Sequence, residues 1–347
     1  MIPTCQILCG DACEKMAELP AQCVQMCVTS PPYFCLRDYG VPGQIGLENS
    51  VDEYVAKMVE VFREVKRVLR DDGTLWLNLG DSYFNYRPGC TAQGRQSIAK
   101  HDGAVVERSG KRGLRQGDIK EKDLMGIPWH VAFALQAHGW YLRSEIIWHK
   151  RNCMPESVTD RPTRNHEQIF LLTKSQNYYY DNEAIKEPYS PETLPRQERG
   201  VSDNHKYSTP PPGQTTMHTM NQPRLHSKYR GQATKEYELA LAQDPSNSKR
   251  RIEESILNGT GANKRTVWTV ATTPYPDAHF ATYPPALIKP CILAGSRMGD
   301  TVLDCFAGSG TTGEVAIELG RNCILIELNP AYIPLIKARC DTTPALL

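Results

Sequence analysis

The stretch between residues 301 and 327 constrains the fold of this 347-residue chain more than any other. A short apolar run, TVLDC, leads into the turn Phe306-Ala307-Gly308-Ser309-Gly310-Thr311-Thr312. A helical stretch follows as far as Leu319, Gly320 ends it, and a second apolar run, CILIE, closes on Glu327. This order of strand, glycine-rich turn, helix and strand predicts an α/β fold with a ligand at the turn, because glycines let the backbone pass close to a bound molecule.

The chemistry of the turn restricts what that ligand can be. Glu327 lies 17 residues after Gly310, close to where nucleotide-binding α/β folds place a carboxylate for ribose hydroxyls. The turn carries no basic residue that would hold a pyrophosphate, and it is not a Walker loop. We therefore expect an adenosine-containing ligand without phosphates. The alternative is a tight turn with a purely structural role.

The apolar pattern elsewhere extends the α/β prediction. Buried strands are predicted at residues 5–9, 23–29, 74–79, 141–148 and 168–172. The predicted helices begin at a capping box at residues 50–53, at Pro128, at residue 283 and at Asn329. The first of them has an apolar face that runs from Val55 to Leu69, and we expect that face to belong to the core. The alternation of strands and helices predicts a sheet covered on both faces.

Two segments interrupt this pattern and define the expected domains. Residues 86–123 predict a long, mobile, basic loop, and residues 185–275 predict an inserted, proline-rich module. Residues 1–184 and 276–347 would then be two halves of one α/β domain. Asp81, at the end of a predicted strand, could line a cleft; a cap for the next turn is an equally plausible alternative.

Composition limits where the protein works. The mean hydropathy is −0.47, and no stretch approaches 18 consecutive apolar residues, so we expect no membrane-spanning helix. The N-terminus has no secretory signal, which predicts a protein of the reducing cytoplasm. The twelve cysteines include no CxxC pair, so we expect no metal site and expect these thiols to be small, buried apolar groups.

A second group of functional residues follows the strand predicted at residues 23–29. Two successive prolines in Ser30-Pro31-Pro32-Tyr33 stiffen the backbone, because they cannot continue a central strand. The segment presents the Ser30 hydroxyl, the Pro31 carbonyl and the Tyr33 ring where open α/β sheets bind ligands. Two acceptors beside an aromatic face suit a planar base that carries an amino group. The alternative is a rigid turn capped by a packed tyrosine.

Taken together, these motifs resemble a known family. Gly10-Asp11, TSPPY at residues 29–33, DCFAGSGTT at 304–312 and IELNP at 326–330 resemble the S-adenosylmethionine-dependent DNA amino-methyltransferases. The catalytic motif precedes the cofactor motif, which is the order of the β class. The resemblance covers residues 4–184 and 276–340. It implies a circularly permuted, Rossmann-like mixed sheet of about seven strands with helices on both faces, and an inserted target-recognition module.

The resemblance also implies roles for the matching residues. Ser30 and the Pro31 carbonyl would accept hydrogen bonds from the target amino group, and Tyr33 would stack on a base flipped out of the duplex. The catalytic set is Ser30, Pro31, Pro32 and Tyr33. The cofactor set places Asp11 at the adenine and Glu327 at the ribose, and it comprises Asp11, Phe280, Tyr283, Asp304, Phe306, Ala307, Gly308, Ser309, Gly310, Thr311, Thr312, Glu327 and Asn329. Phe280 and Tyr283 depart from the residues common in the family segment that HFATYP resembles.

The implied reaction is direct methyl transfer from S-adenosylmethionine to an exocyclic amino nitrogen, which leaves S-adenosylhomocysteine and needs no metal. Ser rather than Asp at position 30 resembles the cytosine-N4 enzymes, with adenine-N6 as the alternative. Pro290-Cys291 matches the dipeptide of a C5-cytosine enzyme, but it falls in a predicted helix and is interpreted as a coincidence. An RNA or protein amino-methyltransferase and a non-enzymatic DNA-binding module are remoter alternatives.

The near-neutral net charge of +1 conceals an uneven distribution. Residues 87–122 carry nine basic and four acidic side chains, and residues 186–265 carry thirteen and nine, whereas the remainder carries 18 and 26. Positive charge in the two interrupting segments predicts contacts with duplex DNA that weaken as salt rises. The expected DNA-contacting residues are Arg95, Lys111, Arg112, Arg115, Arg164, His166, Lys249, Arg250 and Arg251. The polar segment 161–167 could contact the target base or the DNA backbone; a solvated loop is an equally plausible alternative. A homodimer, a separate restriction endonuclease and a bacterial, archaeal or phage-encoded origin are further expectations from the family.

Overall fold

A computed structural model describes residues 3–84, 119–188, 261–272 and 283–341 of the chain. Its strands form one eight-stranded sheet in the order β1-β8-β7-β2-β3-β5-β4-β6. The strands are β1 (Cys5–Cys9), β2 (Val24–Thr29), β3 (Leu69–Leu79), β4 (Tyr141–His149), β5 (His166–Thr173), β6 (Val267–Thr269), β7 (Thr301–Asp304) and β8 (Asn322–Glu327).

The helices alternate with these strands along the chain. They are α1 (Ala12–Ala17), α2 (Val51–Val68), α3 (Ile127–Ala137), α4 (Pro285–Gly295), α5 (Thr311–Glu318) and α6 (Ile333–Asp341), with short 3-10 turns at Glu183–Ile185 and Pro330–Tyr332. Ser50 caps α2, since its hydroxyl accepts a hydrogen bond from the Glu53 N–H at 3.1 Å. The capping box, the proline start of α3 and the helix through Pro290 all lie where the sequence predicts them.

The direction of the strands decides which loops meet. Every neighbouring pair in the sheet is parallel except the two pairs that β5 makes, with β3 and with β4. The start of β5 therefore lies at the edge where β3 and β4 end. The loops after β1, β2, β7 and β8 reach the same edge, which is where α/β sheets bind ligands.

Helices cover both faces of the sheet, as the sequence predicts. Leu75 and Leu77 of β3 belong to one apolar core with Met58 and Phe62 of α2. The alternate residues of β3 point to the opposite face, where Gly295 of α4 packs so closely that a Cβ would meet Thr74 and Trp76 at 3.0 Å. This two-sided burial makes β3 a central strand, and it explains the continuous apolar run that predicts it.

The chain divides into two compact units, one of residues 1–184 and 265–347 and a second of Ile185–Lys264. In the second unit, the described residues Glu187 and Ala262 form an antiparallel bridge. The predicted insert extends to residue 275, but Val267–Thr269 pairs with β4 as strand β6. A strand of three residues carries too little pattern to be recognised in the sequence.

Three details differ from the sequence-based expectations. The first long helix ends at Val68, and Leu69 already has extended backbone and begins β3, although it continues the apolar helical spacing. Helix α1 was not predicted, because it has only six residues. Strand β1 is half-buried rather than buried, since it forms an edge of the sheet, and Cys9 is exposed.

The expectation that the cysteines are buried holds for five of the eleven described, namely Cys27, Cys291, Cys305, Cys323 and Cys340. All eleven described cysteines are free thiols. Among the described helices, none is long and apolar enough to cross a membrane.

Candidate active site

A cavity of about 570 Å³ lies at the edge of the sheet where the parallel strands end. This volume falls in the range of about 300–1,000 Å³ that is typical of small-molecule sites. The cavity brings together both groups of residues that the sequence singles out. The predicted residues that line it are Asp11, Ser30, Pro31, Pro32, Tyr33, Tyr283, Phe306, Ala307, Gly308, Ser309, Thr311, Glu327 and Asn329.

Glu327 is held in place by backbone groups at the end of β8. Its Oε2 accepts a hydrogen bond from the Gly308 N–H, and its Oε1 accepts one from the Asn329 N–H, each at 2.8 Å. Burial raises the pKa of Glu327 above its ordinary value. Each carboxylate oxygen has a second lone pair, so this group can also accept hydrogen bonds from the hydroxyls of a ligand.

The glycine turn brings its backbone to this carboxylate by using left-handed conformations. Gly308 has a φ of +54° and Gly310 a φ of +83°, which residues with a Cβ rarely adopt. A Cβ on Gly310 would also lie 3.2 Å from the Cα of Ile336 in α6. The two glycines are therefore needed for the turn itself, in addition to any close approach to a ligand.

Asp304, Gly310 and Thr312, also predicted to bind the cofactor, do not line the cavity. Asp304 is buried, and its Oδ1 accepts hydrogen bonds from Thr29 Oγ1 at 2.6 Å and from the Phe306 N–H at 3.0 Å. Its Oδ2 accepts from the hydroxyls of Tyr283 and Thr312. Because four protein donors surround the carboxylate, the structure gives Asp304 a supporting position beneath the turn, which corrects the expectation of direct contact.

Asp11 combines a place at the cavity with a local structural role. It caps α1, because its Oδ1 accepts hydrogen bonds from the Cys13 and Glu14 N–H groups at 2.8 and 3.1 Å. The neighbouring Gly10 N–H donates to the Glu327 carbonyl at 2.9 Å. The ends of β1 and β8 are thereby tied together at one wall of the cavity.

The Ser30–Tyr33 turn is fixed from two sides. The hydroxyl of Tyr54, a fully buried residue of α2, donates to the Pro32 carbonyl at 2.9 Å. On the other side, Gly80 follows β3, and a Cβ there would lie 2.5 Å from Cε2 of Tyr33. Only a glycine at position 80 leaves room for the tyrosine ring in this position.

Four polar side chains meet at the hydroxyl end of the Tyr33 ring: Ser30, Tyr33 itself, Asn78 and Glu167. Tyr33 Oη lies 2.7 Å from Glu167 Oε2 and 3.2 Å from Ser30 Oγ. Asn78 Nδ2 has two N–H bonds to donate and lies 2.8 Å from Tyr33 Oη, 3.0 Å from Glu167 Oε2 and 3.3 Å from Ser30 Oγ. Burial and the neighbouring Glu167 carboxylate raise the pKa of Tyr33 well above its ordinary value, so this phenol stays protonated.

The second oxygen of Glu167 forms an ion pair with Lys150, which follows β4. The Lys150 ammonium also lies 4.6 Å from the centre of the Trp148 ring, a cation–π arrangement. Both residues line the cavity. The side of the cavity beside Tyr33 is therefore aromatic, with one anion and one cation held against each other.

Comparison with known proteins agrees with this geometry. The family model described as DNA methylase matches residues 24–338. The chain is 43% identical to the type II methyltransferase M.SmaI of Serratia marcescens over 97% of this chain and 90% of that protein. It is 41% identical to the type II methyltransferase M.Cfr9I of Citrobacter freundii over 95% and 85%. The chain belongs to the N6/N4 DNA methylase family.

Solved structures share the fold of this DNA methylase. PvuII DNA methyltransferase, described as cytosine-N4-specific, aligns with a TM-score of 0.57 at 14% identity over 97% of this chain and 86% of that one. A protein of Thermus thermophilus solved with S-adenosyl-L-methionine aligns with a TM-score of 0.52 at 21% identity over 99% and 97%. The resemblance inferred from the motifs and the predicted Rossmann-like methyltransferase sheet are both confirmed, with eight strands in place of about seven.

Sequence reasoning missed several cavity residues of the DNA methylase, among them Asn78, Trp148 and Lys150. Asn78 and Trp148 lie inside predicted strands, where a buried residue gives no separate functional signal. Glu167, which also lines the cavity, ends the polar segment 161–167, which the sequence marks as able to contact the target base or the DNA backbone. The antiparallel direction of β5 brings Glu167 to the cavity, and that direction cannot be read from the apolar pattern.

The structure turns one predicted DNA contact, Arg164, inward and leaves a second, His166, partly buried at the start of β5. Arg164 is only 14% exposed, and its guanidinium lies 3.6 Å from Asp81 and donates to Gln168 Oε1 and the His166 carbonyl at 3.3 Å. Burial, together with the nearby Arg164, lowers the pKa of His166. The cofactor residue Phe280 lies outside the described residues. So do the other expected DNA contacts, which are Arg95, Lys111, Arg112, Arg115, Lys249, Arg250 and Arg251.

Cys291 is buried in α4 and does not line the cavity. This position agrees with interpreting Pro290-Cys291 as a coincidence.

Proposed function

We propose that this DNA methylase transfers a methyl group from S-adenosylmethionine to the N4 amino group of a cytosine that has flipped out of duplex DNA. The observation that carries the proposal is that one cavity contains both the Ser30–Tyr33 turn and the glycine turn with Glu327. Methyl donor and target amino group could therefore meet inside a single enclosure, which is what direct transfer requires.

The residues present fit S-adenosylmethionine. Glu327 offers acceptor oxygens for a ribose diol, and the described turn has no basic side chain for a phosphate. Phe306, Leu328 and Tyr332 add apolar and aromatic walls that suit an adenine ring. When bound, S-adenosylmethionine supplies an electrophilic methyl group on a sulfonium. The residues we assign to holding it are Asp11, Tyr283, Phe306, Ala307, Gly308, Ser309, Thr311, Glu327 and Asn329.

The Ser30–Tyr33 turn would bind the target amino group. An exocyclic amino nitrogen is a weak nucleophile, because its lone pair is delocalised into the ring. Acceptors at Ser30 Oγ and the Pro31 carbonyl would hold the two N–H bonds and direct the lone pair. Tyr33 would stack on the base, a contact worth about 1–3 kcal/mol. Extrusion of the base is needed because the amino group is otherwise paired inside the duplex.

The choice of cytosine rests on Ser30. A serine at this position resembles the cytosine-N4 enzymes, whereas an aspartate resembles the adenine-N6 enzymes. The relatives named as type II methyltransferases support a role in a restriction–modification system. We further propose that the basic segments contact DNA and that residues 185–264 recognise the target sequence. A homodimer and a separate endonuclease remain proposals of the same kind.

The test is methyl transfer from labelled S-adenosylmethionine to duplex DNA, RNA and protein, followed by modification-aware sequencing of the labelled DNA. The proposal predicts N4-methylcytosine at one sequence. N6-methyladenine would overturn the assigned base, and absence of transfer to any DNA would overturn the reaction. Ser30→Ala should abolish most turnover and leave the affinity for S-adenosylhomocysteine unchanged; equal loss of both would contradict the role of Ser30.

A further inference from the structure

The cluster behind Tyr33 has a hydrogen-bond direction that its chemistry determines. Asn78 Nδ2 can only donate, and an ionised Glu167 carboxylate can only accept. The Tyr33 hydroxyl receives a hydrogen bond from Asn78 and lies 2.7 Å from Glu167 Oε2. The phenolic proton must therefore point at the carboxylate.

The direction of the Ser30 hydroxyl follows from that of Tyr33. Because the Tyr33 proton is committed to Glu167, the contact of 3.2 Å between the two hydroxyls has Ser30 as donor. Asn78 Nδ2, whose two N–H bonds also face Tyr33 and Glu167, lies 3.3 Å from Ser30 Oγ and engages at most one of its lone pairs. A hydroxyl oxygen has two lone pairs, so the second can accept a hydrogen bond from a group bound in the cavity that Ser30 lines.

These hydrogen bonds form a continuous chain from the cavity, through the Ser30 and Tyr33 hydroxyls, to the Glu167 carboxylate. We propose that Glu167 is the terminal acceptor of the proton that the target amino group loses, and that the hydroxyls of Ser30 and Tyr33 relay this proton. The inference rests on the proposed function, since it identifies the acceptor of the proton that the same amino group loses. Glu167 acts through Ser30 and Tyr33, and it is therefore a positioning residue as well as a proton acceptor.

The relay balances the transfer reaction. The amino nitrogen gives its lone pair to the methyl carbon, a C–N bond forms, and the electron pair of the broken C–S bond stays on sulfur as a thioether. The nitrogen then carries one proton too many. That proton passes to Ser30 Oγ as the Ser30 proton passes to Tyr33 Oη and the Tyr33 proton passes to Glu167 Oε2. Both hydroxyls are regenerated, and the carboxylate ends protonated.

Two surrounding features favour Glu167 over Tyr33 as the final acceptor. The raised pKa of Tyr33 excludes a stable phenolate at that position. The ion pair with Lys150 compensates the carboxylate charge before transfer, and both side chains keep partial exposure, 22% for Lys150 and 14% for Glu167. Water can therefore reach the pair and remove the proton once the reaction is over.

The test compares Glu167→Gln with Glu167→Asp in the full chain by single-turnover methyl transfer to duplex DNA. The Gln side chain keeps the size and can still accept from Tyr33, but it cannot take a proton. We expect the Gln variant to lose about 100-fold in rate, the scale of a positioned proton acceptor. The Asp variant should recover at least a tenth of the wild-type rate. Affinities for S-adenosylhomocysteine and DNA should change less than about 2-fold.

Two further variants separate the relay from other roles. Tyr33→Phe removes the hydroxyl and keeps the ring, so it should lose as much rate as Glu167→Gln while DNA binding is retained. Glu145→Gln makes the same chemical change in β4 at a residue that does not line the cavity, and it should be as fast as the wild type.

The relay is overturned if Glu167→Gln transfers methyl as fast as the wild type, or if its rate falls only in proportion to ligand affinity. In either case a wild-type enzyme that still produces N4-methylcytosine leaves the proposed function standing. A wild type that methylates no DNA amino group overturns the proposed function itself.

Discussion

The Tyr33 hydroxyl donates to Glu167 Oε2 at 2.7 Å, across a separation of 134 residues in the chain. This contact joins the turn after β2 to the beginning of β5, and Asn78 at the end of β3 bridges the two. The aromatic ring that lines the cavity is consequently anchored at its far end by an anion. A change beside this ring should therefore alter turnover more than it alters the fold.

Gly80→Ala should show this effect. The new Cβ would lie 2.5 Å from Cε2 of Tyr33, so the ring must move away from its hydrogen bonds. A misplacement of about 1 Å in a reacting group can cost about 100-fold in rate, and we expect a loss of that order in single-turnover methyl transfer. The affinity for S-adenosylhomocysteine should stay within about 2-fold. A variant with wild-type turnover would indicate that the Tyr33 position is not critical.

Much of the fold could be predicted because its signals are local. The capping box at Ser50, the proline at the start of α3 and the turn at Gly308 each report on a few neighbouring residues. Leu69 shows the limit of such signals. It continues the helical spacing of α2, but its pairing with Val24 places it in β3. A contact between residues that far apart in the sequence overrides local periodicity.

The residues of the candidate site also differ in whether local sequence signals could predict their positions. Glu327 could be predicted because one strand, one turn and one helix separate it from Gly308. Glu167 and Lys150 could not be placed, because their positions depend on the order and direction of β3, β5 and β4. A run of apolar residues in a strand carries no information about either property.

Glu327→Gln should weaken cofactor binding. A carboxylate can accept hydrogen bonds from the Gly308 and Asn329 N–H groups and from ribose hydroxyls at the same time. In the Gln variant an NH2 group replaces one carboxylate oxygen. Because an NH2 group can only donate, it repels the N–H or hydroxyl donor that it faces. Hydrogen bonds to charged groups contribute about 1.5–3 kcal/mol, so calorimetry should give an affinity for S-adenosylhomocysteine at least about 10-fold lower. The control Glu318→Gln changes a carboxylate that pairs with Lys289 and does not line the cavity, and it should leave the affinity unchanged.

The raised pKa of Glu327 adds a pH dependence to that measurement. Its protonation, which removes the charged acceptor, begins at a higher pH than for a free glutamate. Wild-type affinity for S-adenosylhomocysteine should therefore fall as the solution is acidified, and Glu327→Gln should lack this fall. Parallel curves for the two proteins would argue against a ribose contact at Glu327.

His166→Gln should leave DNA binding unchanged at pH 7.5. Burial lowers the pKa of His166, so the ring is neutral there and has no charge to offer a phosphate. Fluorescence anisotropy across a salt series should give the same slope of log affinity against log salt for variant and wild type. Loss of one phosphate contact would instead lower the slope by about 1.

Arg164→Gln should act on stability rather than on the salt slope. The substitution leaves Asp81, whose side chain is 3% exposed, without its cation. Asp81 Oδ1 keeps its hydrogen bonds from the Ser82 and Ile127 N–H groups, so the cost comes from the uncompensated charge at Oδ2. Leaving such a buried group without its partner costs about 1–3 kcal/mol, which urea denaturation can measure. An unchanged denaturation midpoint combined with a reduced salt slope would restore Arg164 as a DNA contact.

Thr29→Val tests the support beneath the glycine turn. Burial raises the pKa of Asp304, so the stability associated with this group is greatest below the pKa of the unfolded chain and is lost as pH rises through the folded pKa. Above that point the ionised carboxylate depends on its four donors. Removing the Thr29 hydroxyl should cost about 1.5–3 kcal/mol at pH 8 and less in acid, where the carboxyl is protonated.

A matched variant separates this effect from the general cost of replacing a buried threonine. The Thr173 hydroxyl is equally buried but donates to a neutral group, the Ser175 carbonyl, at 2.8 Å. Thr173→Val should therefore cost only about 0.5–1.5 kcal/mol and the same at both pH values. If denaturation of the two variants shows the same pH dependence, the charge of Asp304 does not organise the turn. If the loss of unfolding free energy grows with pH for Thr29→Val alone, the Asp304 carboxylate organises the turn.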